Sequence, residues 1–265
     1  MDADLRNGLW NVAATIYFDR NRTYGDKRPP DFHPWERKLV DRLWRDFFKQ
    51  PVDSVPSTWP SSVREIRAWF FGAEWYDIYD FLEFIANNAV SAGFDQEDSA
   101  GFPQACNKIL EREASGYRFL GRVLQPITDE TEMSEVGEAI SSGDLYRAVS
   151  THLRSALSFL SDRKSPDYRN SIKESISAVE ALCRIVVGRK AKLGEALQLL
   201  EKKGAIHPAL RRAFSQLYGY TSDEEGVRHS LIGEANVRFE DAKFMLVACS
   251  AFVNYLRVKA QSADA

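Results

Sequence analysis

The chain has 265 residues, 44% of them apolar and 12% aromatic, with a formal net charge of −3. That length accommodates one large or two small domains, and the apolar content supports a genuine core. A charge this close to neutral excludes a bulk polycation that coats nucleic acid, while leaving room for a local basic patch on an enzyme that touches a few phosphates.

The N-terminal decapeptide MDADLRNGLW is acidic and polar, unlike a secretory leader, and no uncharged apolar run reaches membrane-spanning length. A soluble, cytoplasmic protein without a membrane partner is therefore expected. Residues 4–18 place Leu5, Leu9, Val12, Ala13 and Ile16 on one helical face. A basic, Pro-rich loop over residues 21–30 follows. Pro34 then occupies the position a helix favours for its first residue, and Trp35, Leu39, Leu43, Trp44 and Phe47 recur at helical spacing. Pro51, Pro56 and Pro60 mark a loop. Residues 61–90 read as one helical stretch dense in Trp69, Phe70, Trp75, Tyr79, Phe81 and Phe84. Such rings can stack nucleobases, but at helical spacing they more commonly build core.

A polar loop over residues 93–101 and a short helix over residues 105–113 lead to GYRFLGRVLQPI. There, aromatic and β-branched residues around Gly121 suggest a small hairpin. Asp129 and Glu132 have capping-box spacing ahead of a helix. A helix over residues 144–160 carries Val149, His152, Leu153, Ala156 and Leu160, with His152 expected in the core. SDRKSPDY reads as the break between two helical regions.

Four further helices follow as an antiparallel bundle. The first buries Ile172, Ile176, Val179, Leu182 and Val186. The second buries Leu193, Leu197 and Leu200 and stops at Gly204. The third starts at His207–Pro208, carries Leu210, Phe214 and Leu217, and ends at Gly219. The fourth spans residues 239–256, with Ala242, Met245, Leu246, Cys249, Phe252 and Val253 inward. The expected fold class is thus mainly all-α. A helical N-terminal domain with a small β-hairpin (residues 1–142) precedes a four-helix domain (residues 143–265).

Much chemistry is missing from the sequence. It has no Gly-rich phosphate loop, no HExxH, no GxSxG and no EF-hand loop. The histidines are far apart, none with a partner at helical metal-site spacing. Asp223, Glu224 and Glu225 are adjacent acids that more commonly face water than hold a cation. Cys106, Cys183 and Cys249 form no CxxC pair, and Cys183 and Cys249, on apolar helix faces, read as small apolar residues. No metal or cofactor is expected.

What remains is Arg228 beside His229, after a polar, Gly-punctuated turn. An imidazole next to a guanidinium is suited to acid–base work on a phosphodiester. The bland alternative is a surface pairing of both groups with Asp223, Glu224 and Glu225. Asn170, Lys173, Glu174 and Ser177 form one polar stripe that either lines a cleft or is a solvated face. Glu180, beside the apolar stripe, is a candidate partner for Arg228. Arg184, Arg189, Lys190 and Lys192 form one basic run; Arg211 and Arg212 form another. Each either tracks an RNA backbone or complements a helix C-terminus.

Several long blocks carry a resemblance over nearly the whole chain. LRNGLWN through GYRFLGRVLQPITDETE resembles the helical domain preceding a HEPN domain in AbiJ-like abortive-infection proteins. PDYRNSIKESISAVEALC, IHPAL, LYGYTSDEEGVRHSL and CSAFVNYL resemble the HEPN domain itself. The resemblance implies a metal-independent endoribonuclease, a toxin-type antiviral defence protein that dimerises through its HEPN domain. RNA would be its substrate, and an antitoxin or a phage component its regulator. Arg228 and His229 would be the catalytic pair, with Asn170, Lys173, Glu174, Glu180, Arg211 and Arg212 supporting it or binding RNA. The family's usual motif separates Arg from His by four to six residues; here those positions hold Ser222, Asp223 and Glu224. The alternative implied by that departure is an inactive HEPN module acting as a dimerising, RNA-binding or phage-sensing scaffold.

Overall fold

The computed structural model describes residues 1–18, 32–93, 96–141, 143–188, 193–222 and 237–263. It is mostly helical with one two-stranded antiparallel hairpin. Two compact units divide the chain, Met1–Leu124 and Gln125–Ala265.

In the first unit, α1 (Ala3–Ala13) starts where Asp2 accepts the Leu5 N–H at 2.9 Å. It continues as a π-helical turn, Ala14–Phe18. The wider turn rotates the buried face, so Tyr17 and Phe18 point inward while Ile16, expected there, is only half-buried. Helix α2 (Pro34–Arg42) has Pro34 at its start, and Glu36 accepts the His33 N–H at 2.7 Å. A second π-helical turn, Leu43–Phe47, extends it. The loop at residues 21–30 lies outside the described residues.

The stretch at 61–90 is two helices, α3 (Trp59–Gly72) and α4 (Trp75–Ala92), because Ala73 and Glu74 are extended. Pro60 sits in the first turn of α3, where its missing N–H costs nothing. Helix α5 (Gln96–Arg112) begins well before the expected residue 105 and tolerates Pro103 in its interior. Phe102, Cys106 and Leu110, all fully buried at intervals of four, outweigh the lost backbone bond.

Aromatic rings make this core. Phe47 packs against Trp69, Phe81 and Phe84 with centroids 5.2, 5.7 and 5.4 Å apart, and Phe70 meets Phe81 at 5.8 Å. Burying one such ring contributes at most about 4–6 kcal/mol of transfer free energy. The aromatic-rich segment is therefore a core element. Gly8 brings α1 against α5: a Cβ there would lie 2.5 Å from Ile109 Cγ2.

Strands β1 (Arg118–Leu120) and β2 (Val123–Gln125) turn at Gly121, whose φ of 61° is easy only for glycine. The Phe119 N–H donates to Asn107 Oδ1 at 2.7 Å, and Asn107 Nδ2 donates to the Phe119 carbonyl at 3.0 Å. The Leu124 N–H donates to Glu83. Side chains from α4 and α5 thus satisfy backbone groups that a two-stranded ladder leaves open.

The second unit contains α6 (Glu130–Ile140), α7 (Arg147–Ser161), α8 (Tyr168–Val187), α9 (Leu193–Lys202), α10 (Pro208–Ser222) and α11 (Phe239–Ala263). The sequence groups the last four as the bundle. In the structure α8 packs most closely against α7 and α11, with α6 along α11, while α9 and α10 flank α8. SDRKSPDY is accordingly a tight turn inside this unit. Asp162 accepts the backbone N–H groups of Lys164 and Ser165 at 2.9 and 2.8 Å, and so short a connection folds α8 back along α7.

Polar tethers cross the packed faces. Ser171 Oγ donates to the Ala156 carbonyl at 2.8 Å, and Lys243 Nζ lies 2.8 Å from Glu132. Asn254 Nδ2 donates to both the carbonyl and the carboxylate of Glu135 at 3.0 Å. His207 begins α10, its Nδ1 accepting the Ala209 N–H at 3.1 Å. That helix runs past Gly219 to Ser222, and α11 extends beyond residue 256 to Ala263.

Candidate functional site

Arg228 and His229, the catalytic pair expected from sequence, lie outside the described residues, as do Asp223, Glu224, Glu225, Arg189, Lys190 and Lys192. The described candidates are those of α8 and α10 and the groups that meet them.

Helix α8 buries Ile172, Ile176, Val179 and Leu182 and leaves Asn170, Lys173, Glu174 and Ser177 on its polar side. These four do not act as one unit. Asn170 belongs to the helix start: its N–H and Nδ2 donate to the Asp167 carboxylate at 2.9 and 2.6 Å. Lys173 is exposed, and Ser177 Oγ donates back to the Lys173 carbonyl at 2.9 Å. Glu174 reaches across to α7, where its Oε2 lies 2.7 Å from His152 Nδ1. Glu180 pairs along its own helix with Arg184 at 3.4 Å.

The histidine expected in the core is instead at its rim. The His152 side chain keeps 37% of its surface in solvent, and that of Glu174 keeps 22%. Residue 152 borders the apolar face next to buried Leu153, so the helical period alone misplaces it. A carboxylate on Nδ1 holds the imidazole plane and favours the tautomer carrying its proton there, which leaves Nε2 as the open nitrogen. Such a pair is suited to holding or passing a proton at Nε2. Sequence reasoning missed it because the partner is twenty-two residues away on another helix.

Arg211 and Arg212 are not equivalent. The Arg211 guanidinium is engaged by Glu201, which ties α10 to α9, while Arg212 is exposed. The structure thus joins Glu174 with His152 and leaves Arg212 and Lys173 in solvent. It keeps Glu180 and Arg211 in pairs of their own.

Residues 1–142 match AbiJ N-terminal domain 4. The chain belongs to that family. No curated protein and no solved structure is significantly similar to it. The AbiJ N-terminal domain by sequence includes α6, which by packing sits on α11 and α7 in the second compact unit. Two cavities open in the Met1–Leu124 part of the AbiJ N-terminal domain. One, of about 370 Å³, is walled by Trp75, Tyr79 and Tyr117 near Asp2 and Glu113. The other, of about 400 Å³, lies between α1 and α5 beside Asn11, Ile109 and Arg112. The first cavity is thus walled by two rings of the aromatic-rich segment, Trp75 and Tyr79, and neither cavity is lined by Asn170, Lys173, Glu174, Glu180, Arg211 or Arg212.

All three cysteines are free and buried. Burial pushes the Cys249 thiol up to about 12, and burial with the nearby Glu180 charge does the same for Cys183. Neither is suited to nucleophilic work. Among the described residues, no cluster of three or more His, Cys, Asp or Glu side chains is placed to hold a metal ion. Among those residues no helix is long and apolar enough to cross a membrane.

Proposed function

We propose that this protein is a metal-independent endoribonuclease of a bacterial abortive-infection system, built from an AbiJ-like domain (residues 1–142) and a HEPN-like helical domain (residues 143–265). The observation that carries the proposal is the AbiJ N-terminal domain over residues 1–142, which points to abortive-infection defence. The Arg228–His229 dipeptide, within a block resembling HEPN proteins, supplies the chemistry. His229 takes the proton of a ribose 2′-OH, and that oxygen attacks the adjacent phosphorus. The P–O5′ bond breaks as the departing O5′ takes a proton from the His229 imidazolium, leaving a 2′,3′-cyclic phosphate and a 5′-OH and restoring the neutral imidazole. The Arg228 guanidinium stabilises the charge that builds on the phosphorane. The nucleophile belongs to the substrate, so RNA reacts and DNA does not. The enzyme acts in the cytoplasm as a homodimer, and a phage component or an antitoxin sets its activity.

The test is expression from an inducible promoter with mapping of RNA ends. The wild type should arrest growth and generate cyclic-phosphate ends, while His229→Ala should fold normally and do neither. Intact tRNA, rRNA and mRNA pools after wild-type induction would sink the nuclease.

One observation favours a second reading, an inactive HEPN scaffold that binds RNA or senses phage. The positions where the family's motif expects arginine hold Ser222, Asp223 and Glu224. Equal growth arrest by the wild type and by the Arg228→Ala, His229→Ala double variant would select it.

A further inference from the structure

Helix α11 is apolar on both sides. Its inner face, with Ala242, Met245, Leu246, Cys249, Val253 and Leu256, is buried. Its outer face carries Phe244, Ala248, Ala251, Tyr255 and Val258, at successive spacings of four, three, four and three. That is the heptad spacing of a helix-pairing seam. Phe244 is 56% exposed and Val258 59%, and the three between them are half-buried. Fourteen residues separate the ends, so the stripe runs about 21 Å along the helix. A contiguous apolar stripe left in water marks an interaction surface.

We propose that this face is the contact between two copies of the chain, paired antiparallel with the two-fold axis at Ala251. The proposal rests on the homodimer part of the proposed function and adds its interface. Three features select this occupant and this direction. Phe244 and Val258 each lie seven residues from Ala251, so each meets the other type on the second copy. Tyr255 of one copy then comes over the small Ala248 of the other, and Ala251 meets Ala251 where the helices approach most closely. Finally, Asp241 and Lys259 fall on the same edge of the seam, ten residues before Ala251 and eight after it. An antiparallel partner therefore brings its Lys259 within about 3 Å along the axis of Asp241, twice per dimer. A parallel pair would instead leave Asp241 and the partner copy's Lys259 at opposite ends of the seam and align the helix dipoles unfavourably. A contact of this length is smaller than a standard stable interface, so the dimer dissociates on dilution.

The full-length chain is tested by sedimentation velocity over a dilution series and by cysteine cross-linking. The native thiols are buried and do not interfere. Under mild oxidation Ala251→Cys should form a disulfide-linked dimer far faster than the exposed control Lys173→Cys. Phe244→Cys should cross-link with Val258→Cys when the two are mixed, and poorly with itself. Phe244→Asp, with unchanged far-UV circular dichroism, should shift the dimer to monomer. Lys259→Asp should weaken association, and adding Asp241→Lys should restore it. A wild type that dimerises while Ala251→Cys links no faster than the control overturns the seam and leaves the homodimer standing. A wild type that is monomeric at every concentration overturns both.

Discussion

His152 on α7 and Glu174 on α8 meet with Nδ1 and Oε2 2.7 Å apart at the edge of the helical core. The half-exposed position sets what the pair is worth, since solvent screens its charge and the side chains lose freedom to hold it. A double-mutant cycle of His152→Ala and Glu174→Ala, read by urea unfolding, should give a coupling of at most about 1 kcal/mol. A coupling of several kcal/mol would mean that the pair is a structural strut.

The buried thiols yield a prediction about reactivity and pH. Cys183 and Cys249 are held at about 12 by burial, so alkylating reagents should leave both unmodified in the native protein near neutral pH. Both should label at once in guanidinium. The folded values lie above that of an exposed thiol, so the neutral thiols stabilise the fold fully below about pH 8.5, the unfolded value. That contribution is lost as pH climbs toward the folded values. Fast native labelling at neutral pH would show that this core opens.

Gly8 should resist substitution although alanine is the better helix former. Gly8→Ala gains about 1 kcal/mol of propensity, but its Cβ enters the space of the stiff Ile109 side chain, and overpacking of this kind costs about 1–3 kcal/mol. Thermal unfolding should show a net loss, and combining Gly8→Ala with Ile109→Ala should recover part of it. A Gly8→Ala protein more stable than wild type would mean that α1 and α5 separate freely.

The turn between α7 and α8 depends on one carboxylate. The Ser165 and Lys164 N–H groups hold Asp162 below the usual carboxylate range. Its contribution is therefore present above the unfolded value of about 3.9 and lost as pH falls through the lower folded value. Asp162→Ala should cost about 0.5–1 kcal/mol near neutrality, the scale of a lost cap, and less in strong acid. A pH-independent difference between the two proteins would rule out the carboxylate's role.

The helices of the second unit were largely legible in advance, from Ile172 to Leu182 on α8 and from Ala242 to Val253 on α11. An amphipathic helix writes its buried face at a period of 3.6, which a window of a few turns reveals. The Asp129 cap, the Pro34 and His207 helix starts and the Gly121 turn were legible for the same reason: each concerns groups within three or four residues of one another. Where distant packing overrode local preference, the sequence misled. Examples are the early start of α5 through Pro103, the break at Ala73 and Glu74, and the π-helical turn that swaps Ile16 for Tyr17 and Phe18.

Composition, periodicity and caps by themselves established a helical protein with an aromatic N-terminal core, a small hairpin and two cysteines, Cys183 and Cys249, on apolar helix faces. Only the tertiary structure decided that α7 rather than α9 or α10 lies closest along α8, that Glu174 takes His152 as its partner, and that Arg211 is already engaged by Glu201. Burial of an apolar face is dictated by spacing along one helix. The neighbour that buries it, and the charge that a carboxylate finds there, depend on residues a score or more apart in the chain.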